Sequence, residues 1–171
     1  ARVSLLGDDK WSHDWSILSR KQVGFWDLLP GGSSALTPML STTNAALTAE
    51  FQAYLGSDLG MTFVTPQPAG GLYTSASAYA VFLRKIMNGT FRIKNQLGQN
   101  AVCTLPSSCG SAVYSPSPEA WHYSYAHWVE DDASTGDGAY SSPGKFGFYP
   151  WISADKTTYG VLSRYDTVNT L

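Results

Sequence analysis

Two cysteines and two serine–lysine pairs are the first candidates for chemistry in this chain. Cys103 and Cys109 enclose Thr-Leu-Pro-Ser-Ser, and Pro106 with its serines favours a tight loop in which the sulfurs can meet as a disulfide. The alternative is a pair of free thiols. A disulfide implies an oxidising compartment, periplasm or exterior, and so short a ring stabilises by roughly 2 kcal/mol in the loop-entropy picture. Two sulfurs without a neighbouring histidine do not make a metal site, and none is expected. Ser142 to Lys145 and Ser153 to Lys156 both read Ser-x-x-Lys. That spacing activates a serine when one helical turn stacks it against the lysine. Here the first pair falls at a strand start and the second in a hairpin loop. Residues three apart on a strand face opposite sides, so neither serine is expected to be a nucleophile.

His13, His122 and His127 are the candidate bases. Read on one strand, His122 and His127 face opposite sides and do not form a pair, which points to structural roles. Glu130, Asp131, Asp132 and Asp137 do not have the spacing of a calcium loop and read as a solvated turn. Gly31-Gly32 and Gly70-Gly71 lack the Lys-Ser/Thr or further glycine of a phosphate loop. Asn88-Gly89-Thr90 matches a glycosylation sequon, but a helix end explains Asn-Gly equally well. The 6 Trp and 10 Tyr suit cross-strand packing better than a sugar-stacking platform.

These residues need a scaffold, and the composition allows one. The chain of 171 residues fits one domain or a large piece of one, with 43% hydrophobic residues and 14% charged. A net charge of −2 gives no footprint for nucleic acid. No apolar run nears the ~20 residues of a membrane-spanning helix. The chain opens on Ala1, which suggests a removed leader or a cut from a longer chain. Residues 1–45, with Trp11, Trp15 and Trp26 and a breaker cluster at 29–34, read as irregular. Leu47, Phe51, Tyr54 and Leu55 predict a short helix stopped by Gly56. Tyr79, Phe82, Leu83 and Ile86 predict a second from about Ser75 to Asn88, with Thr74 or Ser75 as N-cap. A weaker helix over 92–100 and a long Ser/Pro-rich connection over 104–120 follow. Alternation over 122–130, 145–152 and 157–163 predicts three strands, the last two joined by a four-residue loop. Pro150 argues for an edge or a bulge. Helices first, then an antiparallel meander, is an α+β pattern.

Two segments resemble one family. Pro68-Ala69-Gly70-Gly71-Leu72-Tyr73-Thr74-Ser75-Ala76, preceded by Leu59-Gly60-Met61-Thr62, is similar to a helix start in serine β-lactamase and penicillin-binding-protein-like hydrolases. Ser142-Pro143-Gly144-Lys145-Phe146-Gly147-Phe148-Tyr149-Pro150-Trp151-Ile152 resembles their third motif and the aromatic strand after it, and Tyr159-Gly160-Val161-Leu162 the next strand. The class C-like branch of β-lactamases, esterases and D-aminopeptidases is nearest. The resemblance implies that residues 1–171 are the C-terminal portion of one β-lactamase/transpeptidase-like domain. In it, helices precede the C-terminal antiparallel strands of the central sheet.

The same resemblance implies an acyl-enzyme mechanism on a small ester or amide, without a cofactor. Ser142, Pro143 and Gly144 would border the substrate, and the backbone N–H of Lys145 would be one oxyanion-hole donor. Ser142 and Pro143 replace the family's usual Lys or His and Thr or Ser, removing a charge and a hydroxyl. That favours substrates without a carboxylate. The family's nucleophile helix and Tyr-x-Asn loop have no counterpart here, so a missing N-terminal segment or a second chain would supply them. Two further readings are a non-catalytic relative that binds a peptide or glycan, and a secreted Trp-rich binding module.

Overall fold

A computed structural model describes residues 43–64, 72–144 and 147–164, with the backbone pairing of residues 2–3. Trp11, Trp15, Trp26, His13, the breaker cluster at 29–34, residues 68–71 and Lys145 lie outside the described residues.

Both helices form where periodicity places them. Helix α1, Asn44–Leu55, buries Leu47, Phe51 and Leu55. The Thr43 hydroxyl caps it by accepting from the Ala46 N–H at 3.2 Å. Gly56, at φ 101°, ends it in a backbone region that side chains avoid. Helix α2, Ala76–Met87, buries Tyr79, Phe82, Leu83 and Ile86 and takes Ser75 as its N-cap. Lys85 of α2 donates to the Leu55 carbonyl at 2.9 Å and pairs with Asp58, fastening α2 to the end of α1. The helix expected over 92–100 is a short 3-10 turn, Arg92–Gln96. It stops because Gly98 and Asn100 adopt left-handed φ values of 76° and 51°, which turn the chain out of any helix.

Strands β1 (Arg2–Val3), β2 (Thr62–Phe63) and β3 (Leu72–Tyr73) make a small sheet in the order β1-β3-β2. The larger sheet contains β4 (Val102–Cys103), β5 (His122–Ser124), β6 (His127–Val129), β7 (Tyr140–Ser141), β8 (Tyr149–Ile152) and β9 (Tyr159–Leu162). Its six strands lie in chain order and are antiparallel throughout. The protein is therefore α+β, with two helices among the described residues followed by an antiparallel meander.

Two strand expectations are corrected. Residues 122–130 form a hairpin, not one strand: His122 pairs with Val129, Tyr123 with Trp128 and Ser124 with His127. A two-residue turn reverses the parity of side-chain direction, so His122 and His127 share a face. Tyr125 and Ala126 form that turn without glycine, asparagine or aspartate. Ala126 takes φ 56°, and Asn100 Nδ2 donates to the Tyr125 hydroxyl across it. Pro150, expected at an edge or bulge, is fully buried in β8, between β7 and β9. Its carbonyl still accepts from the Ser142 N–H at 3.1 Å, so the strand loses only the bond that proline cannot donate.

One face of the large sheet carries Val129, Tyr140, Ile152 and Tyr159 toward α2, whose Arg84 donates to the Tyr159 hydroxyl at 2.9 Å. Phe148, 1% exposed, meets Tyr79 edge-on at 5.2 Å. On the other face Tyr123 and Trp128 pack edge-on at 5.0 Å, and Trp121 joins Trp128 at 6.1 Å. These aromatic residues serve as cross-strand packing.

Cys103 and Cys109 are joined by a disulfide. Such a bond fits a secreted or extracellular protein. Among the described residues no helix is long and apolar enough to cross a membrane. Replacing both cysteines with serine should lower the unfolding free energy by about 2 kcal/mol, read as a lower urea midpoint. A midpoint unchanged by the substitution, or by a reductant, would show that the ring constrains nothing in the unfolded chain.

Candidate functional site

The segment Ser142-Pro143-Gly144 is built into the hairpin that joins β7 to β8. Ser142 N–H donates to Pro150 O at 3.1 Å, and Gly144 N–H donates to Phe148 O at 2.7 Å. Pairing with β8 therefore continues past Ser141 as far as Gly144, and Gly147, at φ 86°, closes the turn. Ser142 and Pro143 are half-buried, and Gly144 is buried. Pro143 has no N–H. The two described amides of this stretch are thus both committed to β8, and Lys145 lies outside the described residues.

Gly144 differs from Gly147 in what the backbone asks of it. Its φ lies outside the left-handed region, and a Cβ there would stand 3.4 Å from Phe148 O, in ordinary contact. The hairpin itself does not require glycine at 144.

The sequence-derived bases are occupied elsewhere. His127 Nδ1–H donates to the Tyr125 carbonyl at 2.8 Å, and Nε2 accepts from the Gly98 N–H at 3.0 Å. Burial pushes its pKa down to about 4, against the pull of the Tyr125 carbonyl and with help from the charge on Lys156. The ring is neutral, fully bonded and structural. His122 Nδ1 pairs with Asp131 at 2.9 Å. Sharing a face does not bring the two histidines into one site.

Ser153 and Lys156 serve the turn between β8 and β9. The Ser153 hydroxyl donates to Asp155 at 2.6 Å and accepts from the Thr158 N–H at 3.0 Å. Lys156, at φ 60°, lies over the Tyr140 ring at 5.3 Å. The Ser153 hydroxyl, followed by the Thr157 N–H and hydroxyl, holds the Asp155 carboxyl below its ordinary range.

The acidic stretch is likewise an ordered turn. Asp132 accepts from Ser134 N–H and Oγ at 2.8 and 2.6 Å and from Ala120 N–H at 2.8 Å. The Ser134 hydroxyl leads in lowering its pKa. Among the described residues no group of three or more His, Cys, Asp or Glu could hold a metal.

A cavity of about 70 Å³ lies between α2 and the sheet. Tyr79, Leu83 and Ile86 line it from α2, His127 from β6, Ser142 from the β7–β8 hairpin, and Ile152 from β8. It brings Ser142 to an apolar chamber. Two features here escape a sequence reading. Tyr79 appears in the sequence only as one tooth of a buried stripe, yet its hydroxyl finds no partner among the described residues. Tyr149 donates to a buried Glu130, a pair 19 residues apart that no local spacing announces. Desolvation, then the Glu130 carboxylate, raise the Tyr149 phenol.

No family model, curated protein or solved structure matches the chain.

Proposed function

We propose that the chain is the C-terminal portion of a serine hydrolase of the β-lactamase and penicillin-binding-protein type, nearest the class C-like branch. It acts through an acyl-enzyme on an ester or amide without a carboxylate, in the periplasm or outside the cell. Ser142, Pro143 and Gly144 border the substrate, the Lys145 N–H donates to the oxyanion, and the nucleophilic serine comes from an upstream segment or a second chain. One observation carries most weight. Ser142-Pro143-Gly144 follows strand β7, with Ser142 lining a chamber and a glycine at 144 that its own hairpin does not need. Close approach of a substrate supplies a reason for that glycine. The order of a capped helix followed by a meander supports the same fold family.

Incubating the intact gene product with a fluorescent phosphonate should label a single serine, identified by peptide mass spectrometry, outside positions 142 and 153. Absence of label at every serine would show this reading to be wrong.

A second reading is a non-catalytic relative that binds a peptide or glycan through the same groove. It is favoured by the commitment of both described amides to β8. Saturable cell-wall binding without hydrolysis of nitrophenyl esters would select it.

A further inference from the structure

Tyr79 is 2% exposed, and its hydroxyl has no hydrogen-bond partner among the described residues. Buried tyrosines ordinarily give that group a partner, because leaving it dry is unfavourable. Tyr79 and Ser142 both line the 70 Å³ cavity, and the Ser142 hydroxyl is likewise without a partner among the described residues. His127 lines it too, but both its ring nitrogens are bonded. Tyr140 and Ser141 bring two further hydroxyls, the Ser141 oxygen buried without a hydrogen-bond partner among the described residues, and the described lining residues include no Asp, Glu, Lys or Arg.

Size narrows the occupant. A single water needs only ~10–15 Å³ and seeks two to four polar partners, whereas an engineered dry cavity that takes benzene measures ~150 Å³. This chamber exceeds the room that one water needs and is smaller than the benzene cavity. None of the described lining residues carries a charge that could pair with one on a ligand.

We infer that the cavity binds a neutral, mostly apolar group of roughly three to five heavy atoms bearing one oxygen, which accepts a hydrogen bond from Tyr79. Short-chain ketones, alcohols and acyl groups have this chemistry. Assigning the group to the acyl part of a substrate rests on the hydrolase reading; the binding itself does not.

Titration of the full chain with 2-butanone, followed by the NMR shifts of the Tyr79 ring, should saturate in the millimolar range. Butyrate, of similar size but charged, should not bind. Tyr79→Phe should weaken 2-butanone by about fivefold, the effect of one neutral hydrogen bond, while leaving xenon binding unchanged. The free variant should be at least as stable as the parent, because it removes an unpaired buried hydroxyl. Leu97→Phe, which narrows the chamber, should weaken both ligands.

Lack of saturable binding, equal binding of butyrate, or indifference of the ketone to Tyr79→Phe would each overturn the inference. Ketone binding without phosphonate labelling would keep this site and remove its acyl role. Labelling without ketone binding would remove this site alone.

Discussion

Phe148→Ala should destabilise the protein by about 3–5 kcal/mol, the usual range for deleting a buried phenyl ring. Phe148 is 1% exposed and belongs to the same core as α1 and α2. Its ring meets Tyr79 edge-on at 5.2 Å, which adds to the burial. Its carbonyl also accepts from Gly144, but alanine keeps that bond. The loss therefore reads out the ring alone. Urea unfolding should show a large drop in midpoint with an unchanged slope. A cost under about 1 kcal/mol would mean that the core between α2 and the hairpin collapses to refill the space.

Acid should weaken the fold through His127. Its folded pKa is depressed to about 4, chiefly by burial, against an ordinary 6.5. Above pH 6.5 neither the folded nor the unfolded chain protonates it. As the pH falls from 6.5 to 4, the unfolded chain binds a proton that the folded chain refuses. Stability declines across that window by about 3 kcal/mol and the contribution is flat below it. Unfolding free energies of parent and His127→Asn, compared at pH 7, 5.5 and 4, isolate the effect. The parent should lose its advantage as pH drops, and a constant difference would show that the fold leaves the His127 pKa at its ordinary value.

What the sequence revealed follows from how local each feature is. Helix α2 was legible because Tyr79, Phe82, Leu83 and Ile86 repeat on one face and Ser75 caps it, all within one segment. The β5–β6 hairpin was hidden because the turn at Tyr125 and Ala126 contains no residue that favours a left-handed backbone. Ala126 takes φ 56° there, and the turn is tied to another segment where Asn100 donates to the Tyr125 hydroxyl. Pro150 misled for a related reason: proline rules out one ladder bond, not a place inside a sheet. His122 and His127 then acquired the wrong parity from the missed turn, although both proved structural. Residues 142–144 were legible as a strand approach, but their amide commitments were not, since they depend on the partner strand. The cavity had no sequence signal at all, because unfilled space depends on how helix and sheet meet.

Pairing between β6 and β7 is confined to Trp128 with Ser141 and Val129 with Tyr140. Beyond Ser141 the β7 backbone bonds toward β8, and Pro143 offers no N–H toward any other neighbour. Exposed strand borders invite copies of the same chain to add on and aggregate. A proline at this fork makes the stretch a poor template for such growth.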